Sequence, residues 1–376
     1  MLTSSSTLSD IRAKITARER ISSEDALYLW REAPDADMRS LASQVRARFH
    51  SPGACTYLVM RIINYTNVCV AQCDYCAFYK LPGQEGGYVL THEQVFAKLD
   101  ELLAMGGDLV GFNGGFNPQL SLDYYCDLFR AIRQRYGERL EFYALTIAEF
   151  MYLADHANLS YLAAAERLKQ AGVRWITGGG SEILTEDFRR RHSKFKYTVA
   201  DYFAAQRALV ESGLRTSATM VIGFDETIEE RIEHLERTRA FQDSLISASL
   251  ISASLVAAGS TDSALSSFLC WTYKPYFTQL GGIEITTSEY LRHLALSRIY
   301  LDNIPRIRTS VLTQNERALE GLLYGADDFD LPIEDEVTQL AGATISLNFD
   351  RLLATARTLG FTPTYRHVAT GWNQPA

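Results

Sequence analysis

The sequence predicts a parallel α/β barrel with a helical segment at its N-terminus and an extension at its C-terminus. From Tyr57 onward, short β-rich runs alternate with longer amphipathic stretches, which is the pattern of repeated βα units. No long antiparallel section interrupts this alternation, and 376 residues suffice for one barrel with extensions. The pattern places the N-terminal helical extension in residues 1–52, the barrel in 53–330 and the C-terminal extension in 331–376.

Periodic patterns locate the individual elements. In the N-terminal segment, Leu41, Val45 and Phe49 recur every four residues, which predicts helices. The β-rich runs predict strands at Tyr57–Asn64, Asp108–Asn113, Leu140–Leu145, Val173–Gly178, Arg215–Ile222, Ser267–Tyr273 and Arg306–Leu312. Stretches between them predict helices such as Thr91–Met105, Leu122–Tyr136, Val199–Ser212, Ile228–Phe241 and Ser288–Ile304. Because function in such barrels lies in the loops after the strands, we expect the site residues there.

Composition and charge restrict the partners of the chain. Hydrophobic residues make up 47% of the sequence and charged residues 22%, as in ordinary globular proteins. The net charge of −8 opposes binding to a nucleic-acid backbone, which requires an excess of Lys and Arg. No stretch approaches the ~20 apolar residues of a membrane span, and the N-terminus lacks the pattern of a secretory signal. We therefore expect a cytoplasmic protein with a small-molecule substrate and with no nucleic-acid or membrane partner.

A direct repeat precedes the sixth predicted strand. Residues 245–249 and 250–254 both read Leu-Ile-Ser-Ala-Ser, and a stretch rich in Gly, Ser and Thr follows. Two copies of five residues do not make a repeat architecture. We interpret residues 245–266 as an inserted helix and loop, for which the sequence indicates no function.

Three of the six cysteines crowd together behind the first predicted strand, where Cys69, Cys73 and Cys76 form a C-x3-C-x2-C run. A structural zinc site usually has four ligands, and no histidine lies near this run. An iron-sulfur cluster that is held by three cysteines keeps one iron with an open coordination position, where a small molecule can bind. The other three are scattered among apolar neighbours, which predicts packed core thiols at Cys55, Cys126 and Cys270.

The cysteine run resembles the signature of the radical S-adenosylmethionine (SAM) enzymes, which share a partial or complete βα barrel. The resemblance implies that Cys69, Cys73 and Cys76 hold a 4Fe-4S cluster and that SAM chelates the open iron. In these enzymes the reduced cluster cleaves SAM to a 5′-deoxyadenosyl radical, which takes a hydrogen atom from the substrate. A flavodoxin or a ferredoxin-type protein is the expected reductant.

Four further residues match positions near SAM in this superfamily. Tyr75 precedes the last cysteine, a position that is commonly aromatic and near the adenine; the alternative is a tyrosine that only packs the loop. Gly114 and Gly115 stand where the family often has Gly-Gly-Glu and receives the SAM amino group, although glycine pairs also mark plain turns. Glu182 follows three glycines and is expected to bind the ribose hydroxyls; the alternative is an acid that caps the next helix.

A closer resemblance extends from about Tyr57 to Phe361. The matched segments are 63–69, 76–83, 178–184, 226–227, 231–236, 280–282 and 297–304. They are similar to the cyclic dehypoxanthine futalosine synthases of menaquinone biosynthesis, whose relatives are aminofutalosine synthase and the deazaflavin synthase subunits. Tyr65 favours the cyclase, because aminofutalosine synthase tends to carry proline there. The resemblance implies hydrogen abstraction from the ribose of dehypoxanthine futalosine, attack of the sugar radical on the attached aromatic ring, and one-electron oxidation to a spirocyclic product.

The chain departs from this family at two strand ends. Asn117 and Phe224 stand where the relatives usually have histidine. Asn117 can form hydrogen bonds but does not shuttle a proton, and Phe224 can only pack against a substrate. The seven histidines are expected on helices or connecting segments. Asp225, Glu226, Tyr79 and Asn117 are therefore the predicted catalytic or positioning residues.

Two alternatives stay open at this point. The basic residues Arg189–Arg191, Lys194 and Lys196 either bind a substrate carboxylate such as a benzoate or form a solvated helix end. The chain is either the cyclase or a paralogue with the same radical chemistry on another small aromatic or nucleoside substrate. A non-catalytic iron-sulfur or zinc protein is disfavoured, because a passive electron carrier would ligate its cluster with four cysteines.

Overall fold

The computed structural model describes residues 7–193, 197–251 and 265–367, and within these ranges the chain forms a closed parallel barrel. The barrel strands are β1 (Ala54–Ile63), β2 (Leu109–Phe112), β3 (Glu141–Thr146), β4 (Trp175–Thr177), β5 (Arg215–Ile222), β6 (Leu265–Thr272), β7 (Arg306–Thr309) and β8 (Asp328–Pro332). They pair in chain order, and β1 pairs with both β2 and β8, which closes the sheet. A further strand, β9 (Thr362–Tyr365), pairs in parallel with the first half of β1.

Helices precede the barrel and connect its strands. Within the described ranges they are α1 (Leu8–Thr16), α2 (Ser23–Glu32), α3 (Asp35–Arg46), α4 (His92–Ala104), α5 (Leu122–Tyr136), α6 (Ile147–His156), α7 (Tyr161–Gln170), α8 (Glu186–His192), α9 (Val199–Glu211), α10 (Ile228–Ser247), α11 (Thr287–Tyr300), α12 (Val311–Gln314), α13 (Glu336–Leu340) and α14 (Phe349–Thr358). Short 3-10 helices lie at Gly137–Arg139 and Asn315–Tyr324.

Serine or threonine occupies the N-cap position of most of the helices that connect the barrel strands. Each of these hydroxyls accepts a hydrogen bond from the backbone N–H three residues later, which satisfies a donor that the helix itself cannot use. Because the cap fixes the residue at which the helix begins, it also fixes the length of the loop before it. The capping residues of α4, α5, α6, α8, α9, α10 and α11 are Thr91, Ser121, Thr146, Thr185, Thr198, Thr227 and Thr286.

The N-terminal helices α1 to α3 pack against the outside of the barrel. Arg292 of α11 donates hydrogen bonds to the carbonyl oxygens of Trp30, Leu29 and Ala33, at 3.0, 2.6 and 2.7 Å. Arg46 of α3 donates from Nε to the carbonyl of Ala326, at 3.0 Å, just before β8. The predicted helical cap is thus confirmed, and its helix ends are bound to backbone groups of the barrel.

The predicted barrel is confirmed, with differences at its closing strands. The run from Arg306 was predicted to remain extended to Leu312, but Ser310 caps the short helix α12 and β7 ends at Thr309. The strand β8 was missed because Asp328 and Asp330 alternate with apolar residues, and the sequence pattern reads as a polar segment. The predicted boundary at residue 330 falls inside β8, so the last barrel strand extends into the segment assigned to the C-terminal extension.

The inserted segment is only partly described. Helix α10 continues to Ser247, six residues beyond the predicted end at Phe241, and β6 begins at Leu265. The second copy of the repeat lies mostly outside the described residues, as does the stretch that follows it. None of the described helices has the length and apolar character that a membrane crossing requires.

Candidate active site

A cavity of about 300 Å³ lies inside the barrel, and its lining runs from the strands to the loops at their carboxyl ends. All eight strands or the loops behind them contribute lining residues. Apolar side chains dominate the lining, and a few charged groups from different strands face the same space. A mostly apolar cavity with few convergent polar groups is typical of a small-molecule site.

The loop behind β1 brings Cys69, Cys73 and Cys76 to the wall of this cavity. Cys69 is fixed by its backbone N–H, which donates to the carbonyl of Lys80 at 2.9 Å. The Cys69 sulfur accepts hydrogen bonds from the backbone N–H groups of Ala71 and Phe116, at 3.4 and 3.3 Å. Backbone donors that point at a sulfur stabilise its thiolate form. The loop therefore presents the sulfurs as ligands.

The surroundings of the thiols fit an iron-sulfur cluster. Burial and the neighbouring Cys73 raise the pKa of Cys76 to about 11, and no positively charged side chain is among the causes. Iron supplies a positive charge when a cluster binds. No three His, Cys, Asp or Glu side chains within residues 7–193, 197–251 and 265–367 converge as they would on a single metal ion. A four-iron cluster does not require such convergence, because each cysteine binds a different iron.

The three scattered cysteines are packed core residues, as predicted. Cys55, Cys126 and Cys270 are buried and lie outside the cavity lining. Burial raises the pKa of the Cys55 thiol to about 12 and raises that of Cys270 as well. Thiols in such surroundings stay protonated and are poor metal ligands.

Gly114 and Gly115 allow the loop behind β2 to pack directly on the loop that carries Cys69, Cys73 and Cys76, here called the cysteine loop. A Cβ on Gly115 would collide with the carbonyl oxygen of Val68 and lie 2.7 Å from Cys69 Cβ. A Cβ on Gly114 would lie 2.6 Å from the Tyr65 ring. Both glycines also line the cavity. These positions require glycine for close approach, which a plain turn would not explain.

Tyr75 and Glu182 also line the cavity. The Tyr75 hydroxyl lies 3.0 Å from Ser193 Oγ. Glu182 has a φ of +42°, a left-handed conformation that non-glycine residues seldom adopt outside functional or tightly constrained positions. The alternative in which Glu182 caps a helix is wrong, because α8 begins four residues later and Thr185 caps it by accepting from the Phe188 N–H at 3.3 Å.

Of the four predicted catalytic residues, Tyr79 alone lines the cavity. Its hydroxyl accepts a hydrogen bond from Gln279 Nε2 at 2.9 Å, which links the cysteine loop to the loop behind β6. Asn117 is buried behind the wall, where it donates to Thr66 Oγ1 at 3.1 Å and accepts from the Gln119 N–H at 3.0 Å. Asn117 therefore holds two loops together and does not face the cavity.

The two acids behind β5 are also directed elsewhere. Glu226 is fully buried and accepts from the backbone N–H groups of Gly223 and Phe224, both at 2.8 Å, and from Arg231 Nε at 2.7 Å. Asp225 is half exposed and accepts from His192 Nε2 at 2.7 Å. Both carboxylates thus bind groups of the surrounding loops and helices and do not face the cavity, where catalytic contacts were predicted.

Sequence reasoning missed two side chains that belong to the site region. Glu149 lines the cavity and accepts hydrogen bonds from the Tyr65 hydroxyl and from the Gly114 N–H, the latter at 2.8 Å. Burial raises its pKa to about 6. Its signal in the sequence is the capping box Thr146-x-x-Glu149 directly behind β3. His192 lies outside the lining, but its Nδ1 is 2.9 Å from Asp74 in the cysteine loop.

Phe224 belongs to an aromatic wall of the cavity. Its ring centroid lies 5.2 Å from that of Tyr75 and 5.1 Å from that of Phe188. It stacks on Tyr273 with centroids 4.5 Å apart. The ring of Phe224 therefore supports Tyr75 in the cysteine loop and extends the apolar lining.

The arginines behind β4 form hydrogen bonds and ion pairs with other residues of the same chain. Arg189 donates to the carbonyl oxygens of Tyr197 and Ser181, at 2.6 and 3.3 Å. Arg190 pairs with Asp187, and Arg191 pairs with Asp225 and Glu230. None of the three arginines lines the cavity, so for them the structure favours the second of the two alternatives, a helix end without substrate contact. Lys194 and Lys196 lie outside the described residues.

Comparison with known proteins gives these features a family context. A model of the radical SAM superfamily matches residues 63–238, and a model of the CofH/MqnC C-terminal region matches residues 263–375. Cyclic dehypoxanthine futalosine synthase from Halalkalibacterium halodurans is 35% identical, over 93% of this chain and 90% of its own length. Aminodeoxyfutalosine synthase from Thermus thermophilus is 32% identical, over 89% of this chain and 86% of its own.

The fold and the three clustered cysteines agree with this family context. Among solved structures, methylornithine synthase has a TM-score of 0.69 at 14% identity, over 94% of this chain and 97% of its own, and so shares the fold. Enzymes of the matched superfamily use a 4Fe-4S cluster and SAM, which agrees with three cysteines at the wall of the cavity. The chain therefore belongs to the radical SAM superfamily of enzymes, in the group that carries the CofH/MqnC C-terminal region.

Proposed function

We propose that this enzyme converts dehypoxanthine futalosine to its cyclic product in menaquinone biosynthesis. The observation that carries the proposal is the juxtaposition of the three-cysteine loop with a mostly apolar cavity, in a chain 35% identical to a cyclic dehypoxanthine futalosine synthase. When bound, the cluster and SAM supply a 5′-deoxyadenosyl radical for hydrogen abstraction. We place the enzyme in the cytoplasm, with a flavodoxin or a ferredoxin-type reductant.

The residues around the cysteine loop divide into two proposed roles. Cys69, Cys73 and Cys76 hold the cluster. Tyr75 contacts the adenine, Glu182 binds the ribose hydroxyls, and Gly114 and Gly115 leave room for the methionine end of SAM. The support is that all seven line one cavity at the carboxyl ends of the strands, where barrel enzymes place their sites.

Glu182→Gln is expected to weaken SAM binding without removing iron. Replacing the carboxylate removes a charge-assisted hydrogen bond to a ribose hydroxyl, which costs about 1 to 3 kcal/mol. Isothermal titration of the anaerobically reconstituted protein with SAM measures this loss. Glu229→Gln is the matched control, since Glu229 is 55% exposed on α10 and pairs with Arg31 outside the cavity. A wild-type affinity for SAM in Glu182→Gln would remove Glu182 from the SAM site.

The substrate is tested by turnover with dehypoxanthine futalosine, SAM and a strong reductant. We expect consumption of the substrate, a product of cyclised mass, and 5′-deoxyadenosine release that the substrate stimulates. Protein without substrate measures the uncoupled release. Absence of both stimulation and new product would reject dehypoxanthine futalosine as the substrate.

A second candidate is a paralogue that acts on another small aromatic or nucleoside substrate. The observation that favours it is the replacement of two family histidines by Asn117 and Phe224, of which Phe224 lines the cavity. Residues that face a substrate change when a scaffold is reused, whereas the fold and cofactor site restrain only their own residues. Restoring histidine at both positions separates the candidates: a gain of activity on dehypoxanthine futalosine in the double variant supports the paralogue.

A further inference from the structure

A buried arginine lies inside the barrel, apart from the cysteine loop. Arg308 is on β7, lines the cavity, and is 4% exposed. In the sheet register it stands beside Leu269 of β6, which also lines the cavity. Its guanidinium lies near Met60 of β1, on the opposite side of β8 in the barrel. The cavity therefore has the cysteine loop at its strand-end side and a permanent positive charge in its interior.

The guanidinium of Arg308 has few acceptors among the described residues. Its hydrogen bond goes to the sulfur of Met60, a weak acceptor, at 3.7 Å from Nη2. Nε lies 3.1 Å from Asp328 Oδ2 but forms no hydrogen bond with it. The Asp328 carboxylate is already engaged by Arg366 at 2.5 Å and by the Thr56 hydroxyl at 2.6 Å. The charge of Arg308 is therefore paired with that of Asp328, but its donors have one hydrogen bond among the described residues, to a sulfur.

The second acid near Arg308 forms no hydrogen bond with it either. Asp330 Oδ1 lies 3.9 Å from Nη2 and has no hydrogen-bond partner among the described residues. Asp328 and Asp330 thus balance the charge of Arg308, but neither carboxylate accepts a hydrogen bond from its guanidinium. A carboxylate that enters the cavity can supply the oxygen acceptors for these donors.

Two other buried cations of the barrel, Arg298 and Lys274, differ from Arg308. Arg298 is fully buried, yet it donates to the backbone carbonyls of Leu301, Ile304 and Pro305 at 2.6, 2.7 and 3.2 Å. Lys274, the other cation of the cavity lining, pairs with Glu284 at 2.5 Å. Arg308 thus lies on the cavity wall, paired in charge with Asp328 and Asp330, without a hydrogen bond to an oxygen atom of the described residues.

We propose that Arg308 anchors a carboxylate of the substrate in the interior of the cavity. The hydroxyl-bearing residues Tyr143, Ser217 and Ser267 line the same space and are candidates to complete the oxygen contacts. Apolar lining residues such as Leu269 and Trp271 accommodate a planar ring attached to that carboxylate. The proposal deepens the proposed function, on which it rests: an aromatic carboxylate held by Arg308 leaves the rest of the molecule directed toward the cysteine loop.

The binding test uses the reconstituted holoenzyme with sodium benzoate as the probe and benzamide as the uncharged probe of the same shape. Benzoate is expected to raise the Tm of the wild-type protein with increasing concentration, whereas benzamide is not. Arg308→Met is expected to lose the benzoate shift. Lys274→Met tests the competing cation and is expected to keep the shift. Arg190→Gln removes a positive charge that is 72% exposed on the surface and is also expected to keep it.

Two further measurements protect the test against a variant that fails to fold. Iron content and far-UV circular dichroism report whether Arg308→Met is folded, and Arg308→Lys keeps the charge if methionine is not tolerated. In the wild-type protein, benzoate is expected to protect Arg308 from phenylglyoxal modification, as mapped by mass spectrometry. Absence of a benzoate shift and of protection in the wild type, or retention of the shift in folded Arg308→Met, would overturn the proposal.

The role of Arg308 and the identity of the substrate can be rejected independently of each other. The dissociation constant for dehypoxanthine futalosine is expected to rise at least about tenfold in Arg308→Met, as for loss of a charge-assisted pair. A benzoate shift that depends on Arg308, without turnover of dehypoxanthine futalosine, would support the anchor and reject that substrate. Turnover by Arg308→Met with the wild-type affinity would support the substrate and reject the anchor.

Discussion

Replacement of Cys69, Cys73 or Cys76 by serine is expected to abolish the iron-sulfur cluster. Each thiolate binds a different iron, so loss of any one leaves two irons without a protein ligand when the open position is counted. A serine hydroxyl is a poor substitute because it stays protonated near neutral pH, whereas iron stabilises a thiolate. Iron analysis and the visible absorption of the anaerobically reconstituted protein measure the effect: about four irons per chain in the wild type and almost none in the variants.

The scattered cysteines supply the controls for this experiment. Cys55, Cys126 and Cys270 are buried outside the cavity lining, and their replacement by serine is expected to leave the iron content per folded chain unchanged. Loss of iron in one of these variants, at wild-type secondary structure, would overturn the assignment of the ligands. Zinc is not expected to replace iron, since three ligands do not complete a structural zinc site.

Gly115→Ala is expected to disrupt the contact between the two loops that face the cluster. The added Cβ would collide with the carbonyl oxygen of Val68 and stand 2.7 Å from Cys69 Cβ. The first of these atoms is a backbone oxygen and the second is a Cβ that is fixed to the backbone. The collision can therefore be removed only if the cysteine loop moves. Overpacking of this kind costs about 1 to 3 kcal/mol in the free energy of unfolding. We expect a lower Tm together with a lower iron content, measured by thermal unfolding and iron analysis.

Gly111→Ala is the matched control for Gly115→Ala. Gly111 lies on β2 and also lines the cavity, but a Cβ there would meet Ile62 Cγ1 at 3.6 Å, an ordinary van der Waals distance. Its iron content is expected to equal that of the wild type. Equal iron contents in the Gly115 and Gly111 variants would show that the cysteine loop does not depend on this close approach.

The fold and the cofactors were predictable from the sequence. Alternation of β-rich runs with amphipathic helices predicts βα units, and three closely spaced cysteines behind a strand resemble the signature of enzymes that use a 4Fe-4S cluster and SAM. Both signals lie in short segments of the chain. The strand β8 was not predicted because it contains two buried carboxylates, Asp328 and Asp330. The arginines near them, Arg366 and Arg308, come from other parts of the chain. A pattern within five residues does not contain those partners.

The substrate side of the site was less predictable for a related reason. A position behind a strand does not determine where the side chain points, and Asn117, Asp225 and Glu226 turn away from the cavity to hold loops. Conversely, Arg308 and Glu149 carry their charge inside the barrel, where a sequence pattern predicts apolar residues. The burial of Glu149 is offset by hydrogen bonds from Tyr65 and Gly114, which form only when the barrel closes.

The transfer of a hydrogen atom from the substrate to SAM's adenosyl group tests the central claim most directly. Dehypoxanthine futalosine with a deuterated ribose is incubated with the reconstituted enzyme, unlabelled SAM and reductant, and the 5′-deoxyadenosine is analysed by mass spectrometry. We expect 5′-deoxyadenosine that carries one deuterium, formed together with the cyclised product. Unlabelled 5′-deoxyadenosine with unchanged substrate would contradict it, because the radical would then not react with the ribose of this compound.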